Sequence, residues 1–181
     1  MAVSLVYETH AKTEDNEAGI ATGWLPGRLS AFGRDAARAL GGRHRAVDAV
    51  FTSDLGRAVE TATLAFTDRP VPVYFDSRLR ECDYGHLNGA PVAELDPRRA
   101  RIDEPFPGGQ SYRQVVGATA AFLQDLAARW DGRRVVVIAH SANRWALQHL
   151  LSGVPLEEMV DAPFAWRPGW EYTVPTGWTA R

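Results

Sequence analysis

Four short apolar runs punctuate the chain, at Val3–Tyr7, Val47–Phe51, Val71–Phe75 and Arg134–Ala139, and their lengths predict strands. The last carries Val135, Val136, Val137 and Ile138 in succession, as a parallel strand covered on both faces would. Between these runs the apolar positions recur at helical spacing. Ser30 is placed to cap a helix reaching about Leu40, with Gly41-Gly42 as its stop. Asp54 can cap a second helix through Phe66, and Ser111 a third through Trp130. Ala142 to Leu151 reads as a fourth, ending before Gly153 and Pro155. Strands alternating with helices predict an α/β fold: a mostly parallel sheet with helices on both faces.

Three stretches break the pattern. Residues 12–29 carry Gly19, Gly23, Pro26 and Gly27, and residues 80–110 carry Pro91, Pro97, Pro105 and Pro107 with four glycines. Connections of that length in a compact domain are usually functional or mobile, which makes 80–110 a candidate lid or substrate loop. The tail from Pro155 holds Trp166, Trp170 and Trp178, expected to pack it onto the body. With no repeat or linker, residues 1–181 read as one domain.

Composition narrows the function classes. Twenty basic against 22 acidic residues leave a charge of −2, which argues against a nucleic-acid or anionic-membrane binder. One cysteine excludes an internal disulfide and a Cys-based metal site, and points to a reducing, cytoplasmic setting. No apolar stretch approaches the roughly 18 residues of a membrane span. Lys12 is the one lysine, so every other basic residue is an arginine. Codon bias explains that blandly; anion recognition by the guanidinium fork explains it functionally.

In an open parallel sheet, ligands bind beyond the carboxyl ends of the strands. The residues standing there are Glu8-Thr9-His10, Thr52-Ser53-Asp54 with Arg57 one turn on, Arg78 to Glu81, and His140-Ser141. Two histidines, an arginine and a carboxylate from four segments suit phosphoryl transfer. One imidazole can attack phosphorus, while the other and the guanidinium stabilise the equatorial oxygens. A carboxylic acid can protonate the leaving oxygen. Ala139-His140-Ser141-Ala142-Asn143 resembles a serine-hydrolase elbow but lacks both glycines, and only His149 follows it. No H-x-H or H-E-x-x-H spacing supports a metal site, so neither metal nor cofactor is expected.

At these residues the chain resembles the histidine phosphatase superfamily, with its phosphoglycerate-mutase-like fold. Thr9-His10-Ala11-Lys12-Thr13-Glu14-Asp15-Asn16 stands where the family has R-H-G-E-T-x-x-N. Ser53-Asp54-Leu55-Gly56-Arg57-Ala58-Val59-Glu60-Thr61-Ala62 matches S-x-L-x-R-A-x-x-T-A. Leu79, Glu81, Gly85 and Gly89 match the pattern holding the proton donor, and Pro107–Ser111 is similar to a P-G-G-E-S turn with Gln110 for Glu. His140 and Arg144 match H-G-x-x-x-R, with Ser141 for the glycine.

The resemblance implies a three-layer α/β/α sandwich and metal-independent phosphomonoester hydrolysis through a phosphohistidine. It makes His10 the nucleophile, Glu81 the general acid/base and His140 with Arg57 the phosphate pocket. Asn16, Thr9, Ser141 and Arg144 occupy its substrate-binding positions. The expected partner is a small phosphorylated substrate, met by a monomer or homodimer. Two departures stand out: Thr9 replaces the arginine before the nucleophile, and Ala11 the glycine after it. Losing a bidentate phosphate clamp costs a strong contact, for which Arg28, Arg80, Arg144 and Lys12 are candidate substitutes. A phosphate-binding domain without turnover, and a mutase moving phosphate within a sugar acid, are the alternatives.

Overall fold

A computed structural model describes residues 1–180. Five strands form one sheet in the order β3-β2-β4-β1-β5: β1 (Ala2–Thr9), β2 (Ala49–Thr52), β3 (Val73–Phe75), β4 (Arg134–Ala139) and β5 (Trp170–Pro175). β1 pairs in parallel with β4 from Ser4↔Arg134 to Thr9↔Ala139, and β2 joins β4 from Ala49↔Val135 to Thr52↔Ile138. β4 has the range expected from its apolar run. Val135, Val137 and Ala139 face one core, with Leu5, Phe122 and Leu147. Val136 and Ile138 face the other, with Val50, Ala62 and Phe66. A strand buried on both faces has no use for alternation, hence its unbroken valines.

Among the described residues the helices are α1 (Glu14–Ala18), α2 (Ala31–Arg43), α3 (Gly56–Phe66), α4 (Tyr112–Arg129) and α5 (Ser141–Ser152). α2 and α3 pack on one face and α4 and α5 on the other, giving the expected three-layer α/β/α sandwich. Ser30 and Ser111 cap α2 and α4 as their sequence placed them; Ser111 forms a capping box with Gln114. Asp54 does not cap α3: Leu55 holds the N-cap position, and the Asp54 carboxylate pairs with Arg80 instead. Gly41-Gly42 does not stop α2, which runs on to Arg43. A Cβ on Gly41 would lie 1.9 Å from the Ala65 carbonyl oxygen, so this glycine lets α2 and α3 approach.

The tail departs most from expectation. Residues 170–175 form β5, antiparallel to β1 from Ala2↔Pro175 to Tyr7↔Trp170. Trp170 is buried and Trp178 packs on the main core, but Trp166 is 60% exposed. Residues 80–110 are compact rather than open: short 3₁₀ turns wrap a third core in which Tyr84, Leu95, Ile102 and Phe106 meet Tyr112 and Trp145. The run Arg98, Arg99, Arg101 is salt-bridged to Asp96, Asp161 and Glu104. No helix of the described residues is long and apolar enough to cross a membrane.

Candidate functional site

His10 leaves β1 at its carboxyl end, its N–H still bonded to the Ala139 carbonyl at 2.9 Å. The ring Nδ1 lies 2.8 Å from the Ala11 carbonyl oxygen. A carbonyl only accepts, so Nδ1 carries the proton and Nε2 keeps its lone pair. Burial, reinforced by the Arg57 charge, lowers the His10 pKa from 6.5 to about 3. The imidazole is therefore neutral and nucleophilic at ordinary pH.

The His140 ring lies 5.1 Å from that of His10, tilted by 52°. It is wholly buried, and desolvation, then Arg57 and His10, push its pKa well below the ordinary imidazole value. Its Nε2 meets Ser53 Oγ at 2.7 Å, and its backbone carbonyl accepts a short bond from the Tyr7 hydroxyl. The Asn143 side chain receives the His140 N–H at 3.2 Å and donates to the Arg80 carbonyl at 3.1 Å, tying α5 to the segment that carries Glu81.

Arg57 sits on the first turn of α3 with only 2% of its surface exposed. It donates to the carbonyls of Gly23 at 2.8 Å and Leu25 at 3.4 Å, and its charge acts on both imidazoles and on Glu81. Glu81 lies against the start of α5, where Oε1 accepts from the N–H groups of Cys82 at 2.8 Å and Ala142 at 3.3 Å. Desolvation outweighs these bonds and raises its carboxyl pKa, favouring the protonated acid. A neutral imidazole with a free lone pair, a buried guanidinium, a second imidazole, a carboxylic acid and a helix N-terminus thus share one end of the sheet.

The rim comes from the two long loops, zipped together. Ala21 and Ala90, Gly89 and Ala21, and Val92 and Gly19 pair through their backbones. Gly23 has φ +53°, and a Cβ there would lie 1.8 Å from Asn88 Oδ1. Asn88 is spent closing its own turn onto Asp83 and Tyr84. Tyr84 is buried, and desolvation together with Glu81 holds its hydroxyl protonated. Trp24 donates to the Glu81 carbonyl at 2.6 Å.

Not every expected residue joins the four. Asn16 is exposed, its side chain accepting from the Thr13 N–H in the capping box that starts α1. The Arg144 guanidinium stacks over Trp170, 5.3 Å from the ring centroid. Arg80 is committed to Asp54 and to the face of Trp24, and Arg28 is exposed. Ser141 opens α5, and Thr9 is buried at the end of β1. Arg80 and Arg144 are thus committed away from the place that Thr9 leaves. Ser53 and Tyr7, the partners of His140, carried no separate signal in the sequence beyond Ser53's place in the S-x-L-x-R pattern.

Residues 9–166 match the sequence profile of the histidine phosphatase superfamily, branch 1. A 2,3-bisphosphoglycerate-dependent phosphoglycerate mutase of Methylobacterium sp. (strain 4-46) is 33% identical over 84% of this chain and 82% of its own. Phosphoserine phosphatase 1 of Hydrogenobacter thermophilus is 29% identical over 86% of this chain and 79% of its own. The solved structure of Bacillus stearothermophilus YhfR superposes with a TM-score of 0.81 at 26% identity, covering 92% of this chain and 88% of that one. With the imidazole pair and its buried arginine at the strand ends, these matches place the chain in the histidine phosphatase superfamily, as an enzyme of its phosphatase class.

Proposed function

We propose that the chain is a metal-independent phosphomonoesterase that acts on a small phosphorylated metabolite through a phosphohistidine at His10. The observation that carries this reading is the His10 imidazole, its Nδ1–H committed to Ala11, facing His140 and Arg57. In the first step the Nε2 lone pair attacks phosphorus, and the bond to the ester oxygen breaks as Glu81 gives that oxygen a proton. Arg57, His140 and the α5 N-terminus bear the charge of the equatorial oxygens. In the second step water attacks phosphorus and yields a proton to the Glu81 carboxylate. The P–N bond breaks, its electron pair returns to Nε2, and inorganic phosphate leaves. Phosphorus chemistry of this kind needs positioning and charge, which these side chains supply without a metal.

Thr9 supports a second reading, a phosphate-binding domain with weak or lost turnover. The family pattern places a second guanidinium where Thr9 stands, and losing one such donor costs about 10²–10³ in rate. Relatives named as a mutase and as a phosphatase keep phosphate transfer within a sugar acid as the third. An aryl-phosphate assay in chelator, on wild type and His10→Ala, separates them. Turnover lost with His10 supports the esterase. Calorimetric phosphate or vanadate binding without turnover supports the binding domain, and a transferred rather than released phosphate supports the mutase.

A further inference from the structure

His10 follows the end of β1 and is oriented by its own backbone. Its ring proton goes to the Ala11 carbonyl, so whatever fixes Ala11 also fixes where the Nε2 lone pair points. The Ala11 N–H donates to Thr61 Oγ1 at 3.0 Å. The Thr61 hydroxyl in turn donates to the carbonyl of Arg57, one helical turn back along α3, at 2.7 Å. A threonine within a helix often bonds back to that carbonyl and does nothing more. Here the same oxygen, on a fully buried side chain, also takes a donor from a segment fifty residues away.

From this geometry we infer that Thr61 is a positioning residue: its hydroxyl joins the nucleophile's loop to the helix that carries the phosphate arginine. It thereby sets where His10 stands relative to Arg57. Thr61 touches no reacting atom. Its removal leaves the Ala11 N–H without an acceptor and the His10 ring free to drift. Because a displacement of about 1 Å can cost on the order of 10² in rate, the effect is large for a side chain outside the pocket. The inference rests on the proposed role of His10.

The test compares Thr61→Val, which keeps the shape and loses the hydroxyl, with Thr61→Ser, which keeps the hydroxyl. One readout is the rapid-quench rate of phosphohistidine formation from an aryl phosphate. The other is the ¹⁵N NMR signature of the His10 imidazole. The expected result is about a 10²-fold slower phosphorylation in Thr61→Val with a mixture of His10 tautomers. Thr61→Ser restores most of the rate and the single Nδ1–H form. A wild-type rate and an unchanged tautomer in Thr61→Val overturn the inference, as does a Ser variant as impaired as the Val variant. Should Thr61→Val not fold, Thr61→Ala replaces it on the same two readouts. If the wild type forms no phosphohistidine, the esterase reading fails, and the tautomer comparison alone decides the role of Thr61.

Discussion

Glu81→Gln isolates the proton that the proposed mechanism needs. The change preserves shape, and the amide oxygen still accepts the Cys82 and Ala142 N–H bonds that seat Glu81 against α5, so the fold has no reason to move. What disappears is the acidic proton. General acid catalysis contributes about 10²–10⁴ in rate, or roughly 2.7–5.5 kcal/mol of barrier. In kcat/KM, which excludes the hydrolysis step common to all substrates, that loss falls on esters whose leaving alkoxide cannot depart unprotonated; a nitrophenyl ester, whose leaving group is already stable, is nearly indifferent. pH adds a second handle. In the wild type kcat/KM falls below about pH 3, where His10 takes up a proton. It also falls as pH rises through the elevated carboxyl pKa of Glu81, held up by desolvation. The activity maximum therefore lies between the lowered His10 pKa and the raised Glu81 pKa, and Glu81→Gln lacks the alkaline limb. Steady-state kinetics with an alkyl and a nitrophenyl phosphate across pH is the assay. Equal losses of kcat/KM on both esters, or the same alkaline limb in both proteins, refute Glu81 as the proton donor.

Other outcomes follow from the same geometry. Arg57→Lys exchanges a fork bonded to Gly23 and Leu25 for a point charge, and steady-state kinetics will register a loss of about 10²–10³. The two buried imidazoles have lowered pKa values, so the unfolded chain binds more protons than the folded one below about pH 6.5. Their contribution to stability is complete above that pH and is lost as pH falls towards the folded values. The slope is up to about 1.4 kcal/mol per pH unit for each histidine, and denaturant titrations of His10→Gln will show one histidine's share missing. Gly41→Ala drives a methyl against the Ala65 carbonyl and destabilises by about 1–3 kcal/mol. Gly42→Ala meets nothing within 4 Å and gains up to about 1 kcal/mol, both read from thermal unfolding.

Much of this architecture is legible in the sequence because its signals are local. The valine run reports burial on two faces, and Ser30 and Ser111 announce helix starts with their own side chains. The four residues of the candidate site are readable for a related reason: strand ends converge in an open sheet, so residues far apart in sequence can be assigned to one edge. Non-local features escaped. β5 exists because the Trp170 segment finds the free edge of β1, and six residues ending in proline beside a Gly-rich turn do not declare a partner. Gly41 looks like a stop and is a contact, since the carbonyl that demands it belongs to α3. Asp54 looks like a cap, yet Arg80 competes for its carboxylate and prevails. Asn16 reads as a pocket residue through its motif, while its side chain closes the first turn of α1. The missing arginine before His10 is plain in the sequence; that Arg80 and Arg144 are committed elsewhere only the packing reveals.

A covalent phosphoryl group on His10 is the intermediate that the proposed esterase mechanism requires. Rapid-quench labelling with a ³²P-phosphomonoester, followed by peptide mapping, tests it most directly. The expected label is acid-labile and base-stable, lies on the peptide containing His10, forms as fast as turnover and is missing from His10→Ala. A label that persists in His10→Ala, or full turnover by that variant, contradicts this mechanism.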